Sequence, residues 1–185
     1  MTTPAPTDEE ITDLALQAGR GDREALNSFI KATQGDIWEL LAHLGGRENA
    51  DDLTQETYLR VMGALPRFAA RSSARTWLLS LARRVWIDSI RHETSRPISA
   101  DTSPEHVHPR PPSDWSEWVD TRLLIEQLPA ERREALILTQ VLGYSYEEAA
   151  HITGVRIGTI RSRVARARAD MIQAAGRGCV KEWGT

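Results

Sequence analysis

The sequence predicts an all-α protein made of two small helical domains that are joined by a flexible linker. Apolar residues recur at the three- and four-residue spacing of amphipathic helices along most of the chain, and no stretch alternates as a strand would. That spacing is lost over residues 93–113, which hold five of the nine prolines and are typical of an extended or disordered linker. We therefore expect a first domain at residues 1–92 and a second at residues 114–185.

Composition excludes several classes of protein. The 185 residues, of which 41% are hydrophobic and 26% charged, suffice for one ordinary domain or two small ones with a packed core. The one cysteine, Cys179, leaves no internal disulfide. No apolar run approaches the roughly 20 residues of a membrane helix, and the N-terminus lacks a signal-peptide pattern. We therefore expect a cytoplasmic protein with no membrane segment, and the net charge of −3 argues against a nonspecific coat on nucleic acid.

Capping and stop signals delimit the helices of the first domain. Thr7 and Glu10 form a capping box that opens the first helix, and Gly45 follows the apolar stripe of the second. A short polar loop, residues 68–73, separates the last two helices. The third helix is expected from near Asn49 to before Pro66, and the fourth from about Ala74 to His92.

The second domain contains a pair of helices around a glycine turn. Ser145 and Glu148 form another capping box, and the spacing of Ala150, Gly154 and Ile160 suits two helices that cross closely around a tight turn. This pattern is typical of a helix-turn-helix, whose second helix lies in the major groove of DNA. The helices predicted after the linker are 115–127, 130–142, 146–152 and 157 to about 175.

The second helix of this pair has one face suited to DNA. Residues 156–168 contain five arginines and no acid. Arginine is the commonest reader of guanine edges and also binds phosphates. The alternative is an amphipathic surface helix with a solvated basic face, which the acid-free pattern and the capping box disfavour. The face opposite Ile160 is predicted to present Arg161, Ser162, Ala165 and Arg166, flanked by Arg163 and Arg168.

Charge is segregated in the first domain as well. Acids dominate residues 36–56, although Asp51 and Asp52 near a helix start would also complement the helix dipole, so a purely structural role stays open for them. Arginines dominate residues 67–91 and are interleaved with aromatic and hydroxyl side chains. Aromatics among cations suit single-stranded DNA, whose bases stack and whose phosphates pair with the cations. A core position explains Trp77 equally well.

These motifs together resemble the extracytoplasmic-function (ECF) sigma factors of bacterial RNA polymerase, and most of all the group represented by the actinobacterial sigma factor C. The segments that resemble region 2 are Asp51 to Tyr58, Pro66 to Phe68, Ser73 to Leu79 and Arg84 to Arg91. The segments that resemble region 4 are Leu128 to Pro129, Glu134 to Leu136, Gly143 to Ala150 and Gly158 to Ala167. Both regions stand in the family's order, on either side of a variable linker.

The resemblance implies two partners, core RNA polymerase and promoter DNA. On the polymerase, the β′ clamp coiled coil would bind Asp51, Asp52, Leu53, Gln55, Glu56 and Thr57, and the β flap would meet region 4. The −10 element, melted to single strands with a base flipped out, would contact Arg67, Phe68, Arg71, Ser72, Ser73, Arg75, Trp77, Arg83, Arg84 and Arg91. The −35 duplex would contact Thr159, Arg161, Ser162, Arg163, Ala165 and Arg166.

The chain departs from the family's pattern at two places. Ala165 stands where some members have an aromatic in the recognition helix, and residues 69–73 lack the glycine and acid that are frequent in this loop. The flipped base is therefore left open. Many family members are held by an anti-sigma factor, and nothing in the sequence requires one.

Two other functions compete with this interpretation. A dimeric helix-turn-helix regulator would leave the acidic helix and the aromatic-basic loop without a role. An enzyme acting on nucleic acid would need a catalytic constellation, but the histidines are scattered and no phosphate-binding glycine loop is present. The sequence therefore predicts a protein that is not an enzyme, with no catalytic residue, no metal site and no cofactor.

Overall fold

The computed structural model describes residues 6–95 and 123–181, and every regular element in these ranges is helical, so the all-α prediction is confirmed. The helices longer than one turn are α1 (Asp8–Gly19), α2 (Arg23–Gly45), α3 (Arg47–Ala64), α4 (Ala74–Ser95), α5 (Ala130–Leu136), α6 (Tyr146–Thr153) and α7 (Ile157–Lys181). A 3₁₀ turn, Leu65–Arg67, follows α3, and a π-helical turn, Ile137–Val141, continues α5. None of the helices in the described ranges is both long and apolar enough to cross a bilayer.

Side-chain caps start the first two helices, as the sequence predicts for α1. The Thr7 hydroxyl accepts a hydrogen bond from the Glu10 amide at 3.3 Å, and the Glu10 carboxylate accepts one from the Thr7 amide at 2.7 Å. Asp22 caps α2 by accepting from the amides of Glu24 and Ala25 at 2.9 and 3.0 Å. Each cap satisfies amides that the first helical turn leaves unpaired, which stabilises a helix by about 1 kcal/mol.

The core of the first domain lies between α1, α2, α3 and α4. Fully burying one large apolar side chain of this kind stabilises a fold by about 1.5–3 kcal/mol. Thr33 is buried in this core, and its hydroxyl lies 2.8 Å from that of Tyr58, so α2 and α3 also share a polar contact. The apolar side chains at the centre of this core include Ile11, Phe29, Leu41, Val61 and Leu78.

Helix boundaries differ from the predicted ones by a few residues. α3 begins at Arg47, two residues before the expected start, because Gly46 in an extended positive-φ conformation is its only break from α2. α4 continues to Ser95, three residues into the segment that was predicted to be linker. The rest of that segment, and most of the helix predicted at 115–127, lie outside the described residues.

The second domain is built on α5, α6 and α7, whose apolar faces converge. The α6 and α7 helices meet at Gly154, which has φ 71° and ψ 26°, a left-handed conformation that a side chain would disfavour. The sequence-predicted crossing is therefore present. The buried side chains that join the three helices include Leu138, Ile152, Ile160 and Val164.

The two domains pack against one another in the free chain, with α6 on α4 and α5 on α2. Arg83 of α4 forms an ion pair with Glu134 of α5, and the Glu134 side chain is only 2% exposed. The sequence predicted two domains on a tether, and it gave no indication of this contact. The described residues therefore form one continuous apolar core cluster with a charged pair inside the domain interface.

Candidate nucleic-acid and polymerase surfaces

The helix-turn-helix is held in shape by caps at both ends of α6. The Ser145 hydroxyl accepts from the Glu148 amide at 3.2 Å, and the Glu148 carboxylate accepts from the Ser145 amide at 2.8 Å. At the other end, the Val155 amide donates to the Ala150 carbonyl at 3.1 Å across the Gly154 turn. These bonds fix the angle at which α7 leaves α6, which decides how a recognition helix enters a groove.

The outer face of α7 is exposed, and its inner face is buried, as the sequence predicts. Neither Arg161 nor Arg166 has an ion-pair partner within the described residues, so both guanidinium groups are available to phosphates or base edges. Thr159, at the edge of this face, is half-buried. The exposed members of the predicted set are Arg161, Ser162, Ala165 and Arg166.

Two other arginines of α7 hold the helix to α5 and the π-helical turn. Arg163 is 17% exposed and pairs with Glu131, while Arg168 donates to the side-chain oxygen of Gln140. Arg163 therefore has less of its guanidinium free than Arg161. A depression of about 550 Å³ beside this face is lined by α5 and the first turns of α7.

The loop before α4 combines an aromatic pair with a serine cap. The Phe68 and Trp77 rings are 4.7 Å apart between centroids and tilted by 38°, and both side chains are half-buried. Trp77 therefore packs on the loop while keeping part of its surface exposed. Ser73 accepts from the Thr76 amide at 3.2 Å, so it caps α4, a role that the sequence prediction missed. Arg71 is exposed, and Ser72 is half-buried.

Ala70, at the tip of this loop, has a strained backbone. Its φ of 48° lies in the left-handed region. Among the described residues, Ala70 alone combines a positive φ with a side chain. Such a conformation costs of order 1–3 kcal/mol and tends to persist where the surroundings enforce it, often at functional sites. Ala70 thus adopts, without glycine, a backbone conformation that glycine would adopt with less strain.

The arginines of the predicted −10 surface are divided between internal pairs and solvent. Arg75 donates to Asp8 at 2.9 Å and also pairs with Asp36, which ties the start of α4 to α1 and α2. Arg83 pairs with Glu134 across the domain interface. The exposed arginines of the set are Arg67, Arg71, Arg84 and Arg91.

The environment of Glu134 is unusual for an acid. Burial raises the pKa of this carboxyl above its ordinary value, while the Arg83 guanidinium opposes the shift. A second polar region of the interface is a cleft of about 360 Å³ between Arg75 and Tyr144, where burial raises the pKa of Tyr144 to about 12. Contacts between residues so far apart in sequence leave no periodic signal, which is why they escaped prediction.

The acidic stretch of α3 presents one exposed and one buried face. Asp51 accepts a hydrogen bond from the Trp38 indole at 2.8 Å, and Glu56 pairs with Arg60 at 2.9 Å. Leu53 and Thr57 point into the core, so they can shape the helix but have almost no surface for a partner. The exposed members of the predicted polymerase-binding set are Asp51, Asp52 and Gln55, with Glu56 half-buried.

Comparison with known proteins defines the class to which these surfaces belong. Residues 29–96 match Sigma-70 region 2, and residues 119–171 match Sigma-70, region 4. Proteins with these two regions are regulatory DNA-binding proteins that bind core RNA polymerase and direct promoter recognition. The first region contains α3, the aromatic loop and α4, and the second contains the helix-turn-helix.

Whole-chain relatives narrow the class, and the chain belongs to the ECF sigma factors of the sigma-70 family. It is 51% identical over 178 residues to the ECF RNA polymerase sigma factor SigC of Mycobacterium tuberculosis, covering 95% of this chain and 96% of the relative. It is 36% identical over 129 residues to the ECF sigma factor EcfG of Rhodopseudomonas palustris, covering 69% of this chain and 71% of that one. The chain is accordingly a sigma factor that binds core RNA polymerase and directs promoter-specific initiation.

Two solved structures have a similar fold. CnrH in complex with the cytosolic domain of CnrY has a TM-score of 0.71 at 22% identity, covering 91% of this chain and 98% of that one, which supports the fold alone. The sigma factor RpoE in complex with the anti-sigma factor NepR, from Bartonella quintana, has a TM-score of 0.63 at 25% identity and covers 80% and 94% of the two chains.

Proposed function

We propose that this sigma factor divides promoter recognition among three surfaces of defined residues. The exposed acids of α3 bind the β′ clamp, the loop at residues 68–73 captures a base of the melted −10 element, and the outer face of α7 reads the −35 duplex. The observation that carries the proposal is the helix-turn-helix with Arg161 and Arg166 exposed and unpaired beside a buried inner face. Catalysis belongs to the polymerase, and the chain acts with it in the cytoplasm.

The −10 surface suits single-stranded DNA by its chemistry. Phe68 and Trp77 supply aromatic surface next to the exposed cations Arg67 and Arg71. A base stacked on an aromatic side chain gains about 1–3 kcal/mol, which is comparable to the few kcal/mol needed to flip it out of a duplex. Ser73 contributes by capping α4, so its role in DNA binding is to hold the loop in place.

Promoter binding requires the domains of the free chain to separate. Arg83 cannot reach DNA while it pairs with the buried Glu134. The packing of α6 on α4 also fixes the distance between the −10 and −35 surfaces in the free chain, independently of the spacing in the promoter. Core polymerase would hold the domains apart at the promoter spacing, which raises the effective concentration of the second contact once the first is made. The free chain therefore binds promoter DNA more weakly than the holoenzyme.

An anti-sigma factor is a further proposed partner. The solved structure of RpoE from Bartonella quintana is a complex with the anti-sigma factor NepR, and that sigma factor shares 25% identity with this chain. The same exposed surfaces that meet polymerase and DNA are the ones such a partner would need to cover.

Transcription in vitro tests the proposal. The full chain added to bacterial core RNA polymerase should give discrete transcript starts on a genomic template, with a shared sequence near −10 and −35. The double variant Arg161→Ala/Arg166→Ala should lose those starts. Lys31→Ala, which removes an exposed cation of α2 that belongs to none of the three sets of residues, should retain them. Starts that are unspecific, or that survive the double variant, contradict the proposal.

A further inference from the structure

The first helix lies against both ends of the loop at residues 68–73. α1 packs on the 3₁₀ turn Leu65–Arg67, which leads into this loop, and on α4, which follows it. In sequence, α1 precedes residues 29–96, the segment that matches Sigma-70 region 2. It therefore contacts the loop from outside the matched region.

The start of the loop is held at Gly19. A Cβ atom at this position would lie 2.6 Å from the Leu65 carbonyl oxygen, so only glycine lets α1 come this close to the backbone of the 3₁₀ turn. The same Leu65 oxygen accepts a hydrogen bond from the Phe68 amide at 3.0 Å. Any shift of Leu65 is therefore passed directly to Phe68, the aromatic residue that opens the loop.

The end of the loop is held at Thr12, two helical turns before Gly19 and so on the same side of α1. The Thr12 hydroxyl donates to the Asp8 carbonyl at 2.7 Å and accepts from the Ala74 amide at 3.0 Å. Ala74 is fully buried, and its amide is one of those that the first turn of α4 leaves without a helical partner. Thr12 therefore caps α4 from a different helix, at the point where the loop ends.

The backbone between these two attachments is strained. Ala70, near its middle, has the left-handed φ of 48°, and such a conformation persists only where the surrounding structure enforces it. The two attachments are about 10 Å apart along α1, because a helix rises about 1.5 Å per residue. The ion pair of Asp8 with Arg75, at 2.9 Å, adds a further link from α1 to the first turn of α4. These contacts supply the constraint that the conformation of Ala70 requires.

We propose that α1 is a positioning element for the capture of a −10 base, in which Gly19 and Thr12 fix the two ends of the loop at residues 68–73. Both are positioning residues, since they act on DNA only through the placement of Phe68 and Trp77. Trp77 lies in the first turn of α4, so the bond from Ala74 to Thr12 also orients its ring. The inference rests on the proposed function, because the capture of a base by this loop is itself proposed.

Thr12→Val tests the proposal, because it removes the hydroxyl and keeps the shape of the side chain. The probe is the single-stranded non-template strand of a promoter whose start has been mapped by transcription in vitro, bound to the assembled holoenzyme. Thr12→Val should bind this strand roughly tenfold more weakly, a loss of the order expected when one base no longer stacks. Making each −10 base abasic in turn should weaken the wild type at one base and should have little further effect on Thr12→Val. Thr12→Ser, which keeps the hydroxyl, should restore both the affinity and this discrimination.

Thr33→Val is the matched control for a loss of stability. The Thr33 hydroxyl is buried in the same domain, donates to the Phe29 carbonyl at 2.7 Å and lies 2.8 Å from the Tyr58 hydroxyl, so it touches no part of the loop. Thr33→Val should discriminate among the −10 bases as the wild type does. Equal losses of discrimination in Thr12→Val and Thr33→Val overturn the proposal, and so does a Thr12→Val chain with wild-type discrimination.

A second variant covers the case in which Thr12→Val does not fold. The methyl group of Gly19→Ala must displace Leu65, so discrimination among the −10 bases should again be lost. Gly35→Ala is its matched control, since it adds the same methyl group to α2 where no atom of another described element lies within 4 Å, and it should discriminate normally. A Gly19→Ala chain with wild-type discrimination overturns the proposal. A wild-type holoenzyme that discriminates at no −10 base overturns the proposed function instead, so the two failures are distinguishable.

Discussion

The two surfaces that we propose to read DNA differ in whether their arginines form ion pairs. On α7, Arg161 and Arg166 project into solvent with no ion pair in the described part of the chain. On α4, Arg75 pairs with two acids of its own domain, and Arg83 pairs with Glu134 of the other domain. Arginine is therefore exposed and unpaired at two positions of α7 and engaged in ion pairs at two positions of α4, a difference that residue type alone does not reveal.

The difference follows from what surrounds each helix. Among the described residues, none packs on the outer face of α7, whereas α4 lies between the first-domain core and α6. A buried carboxylate such as Glu134 must be paired, because leaving one buried charge without its partner costs about 3–5 kcal/mol. Arg75 and Arg83 therefore stabilise the free chain, whereas Arg161 and Arg166 contribute little to its stability.

Removing the Arg83 guanidinium should have the largest effect. Arg83→Met leaves Glu134 buried and unpaired, so we expect its carboxyl to become protonated in the folded state. Protonating a carboxyl of ordinary pKa 4.5 at pH 7 costs about 3 kcal/mol, at about 1.4 kcal/mol per pH unit, and the free energy of unfolding should fall by that amount. Urea unfolding measures this. Burial already raises the Glu134 pKa, and the variant raises it further, so the defect should shrink as the pH falls toward 4.5.

The matched variant is Glu134→Gln. It removes the charge from the buried side of the pair and leaves Arg83, which is 21% exposed, with access to water. We expect a loss of no more than about 1.5 kcal/mol, with little dependence on pH. Equal losses in Arg83→Met and Glu134→Gln would show that the buried carboxylate does not dominate this interface.

Truncating an exposed arginine of α7 should have the converse effect. Arg161→Ala should weaken binding to −35 duplex by roughly 10- to 100-fold, because one base-reading arginine contributes about 1–3 kcal/mol. The free energy of unfolding should stay within about 0.5 kcal/mol of the wild-type value. Fluorescence anisotropy with the duplex and urea unfolding separate the two quantities. A loss of stability without a loss of DNA affinity would place Arg161 with the α4 arginines.

The two capping boxes provide a comparison of smaller size. Thr7→Ala and Ser145→Ala each remove one cap, so each should cost about 1 kcal/mol of stability. Only Ser145→Ala should also weaken duplex binding, because α6 sets the angle of α7. If Thr7→Ala reduced −35 binding equally, the two domains would be coupled more tightly than the packing of α6 on α4 indicates.

Relieving the strain at Ala70 should have the smallest effect. Ala70→Gly removes the strain of the left-handed conformation, which raises the free energy of unfolding. The greater freedom of glycine in the unfolded chain lowers it by about 0.5–1 kcal/mol, so we expect a net stabilisation below about 1 kcal/mol. Thermal unfolding measures it. A destabilised variant would mean that the loop does not hold this conformation in solution.

Periodicity, capping and turn chemistry predicted the elements because each is a local property. The Thr7 and Ser145 boxes, the Gly154 turn and the buried stripe through Ile160 were all confirmed. The Arg83–Glu134 pair was not predicted, because it joins residues whose separation in sequence carries no pattern. Exposure was also out of reach, and so Leu53 and Thr57 entered the polymerase-binding set although they face the core.

The bracing of α7 has a mechanical consequence. Arg163 is fastened to Glu131 and Arg168 to Gln140, and these two attachments lie more than one turn apart along the helix. Together with the buried stripe, they prevent α7 from rolling about its own axis. Under the proposed function, α7 would enter the DNA groove as a rigid part of its domain, and adjustment to unequal spacing between promoter elements would come from moving the whole domain.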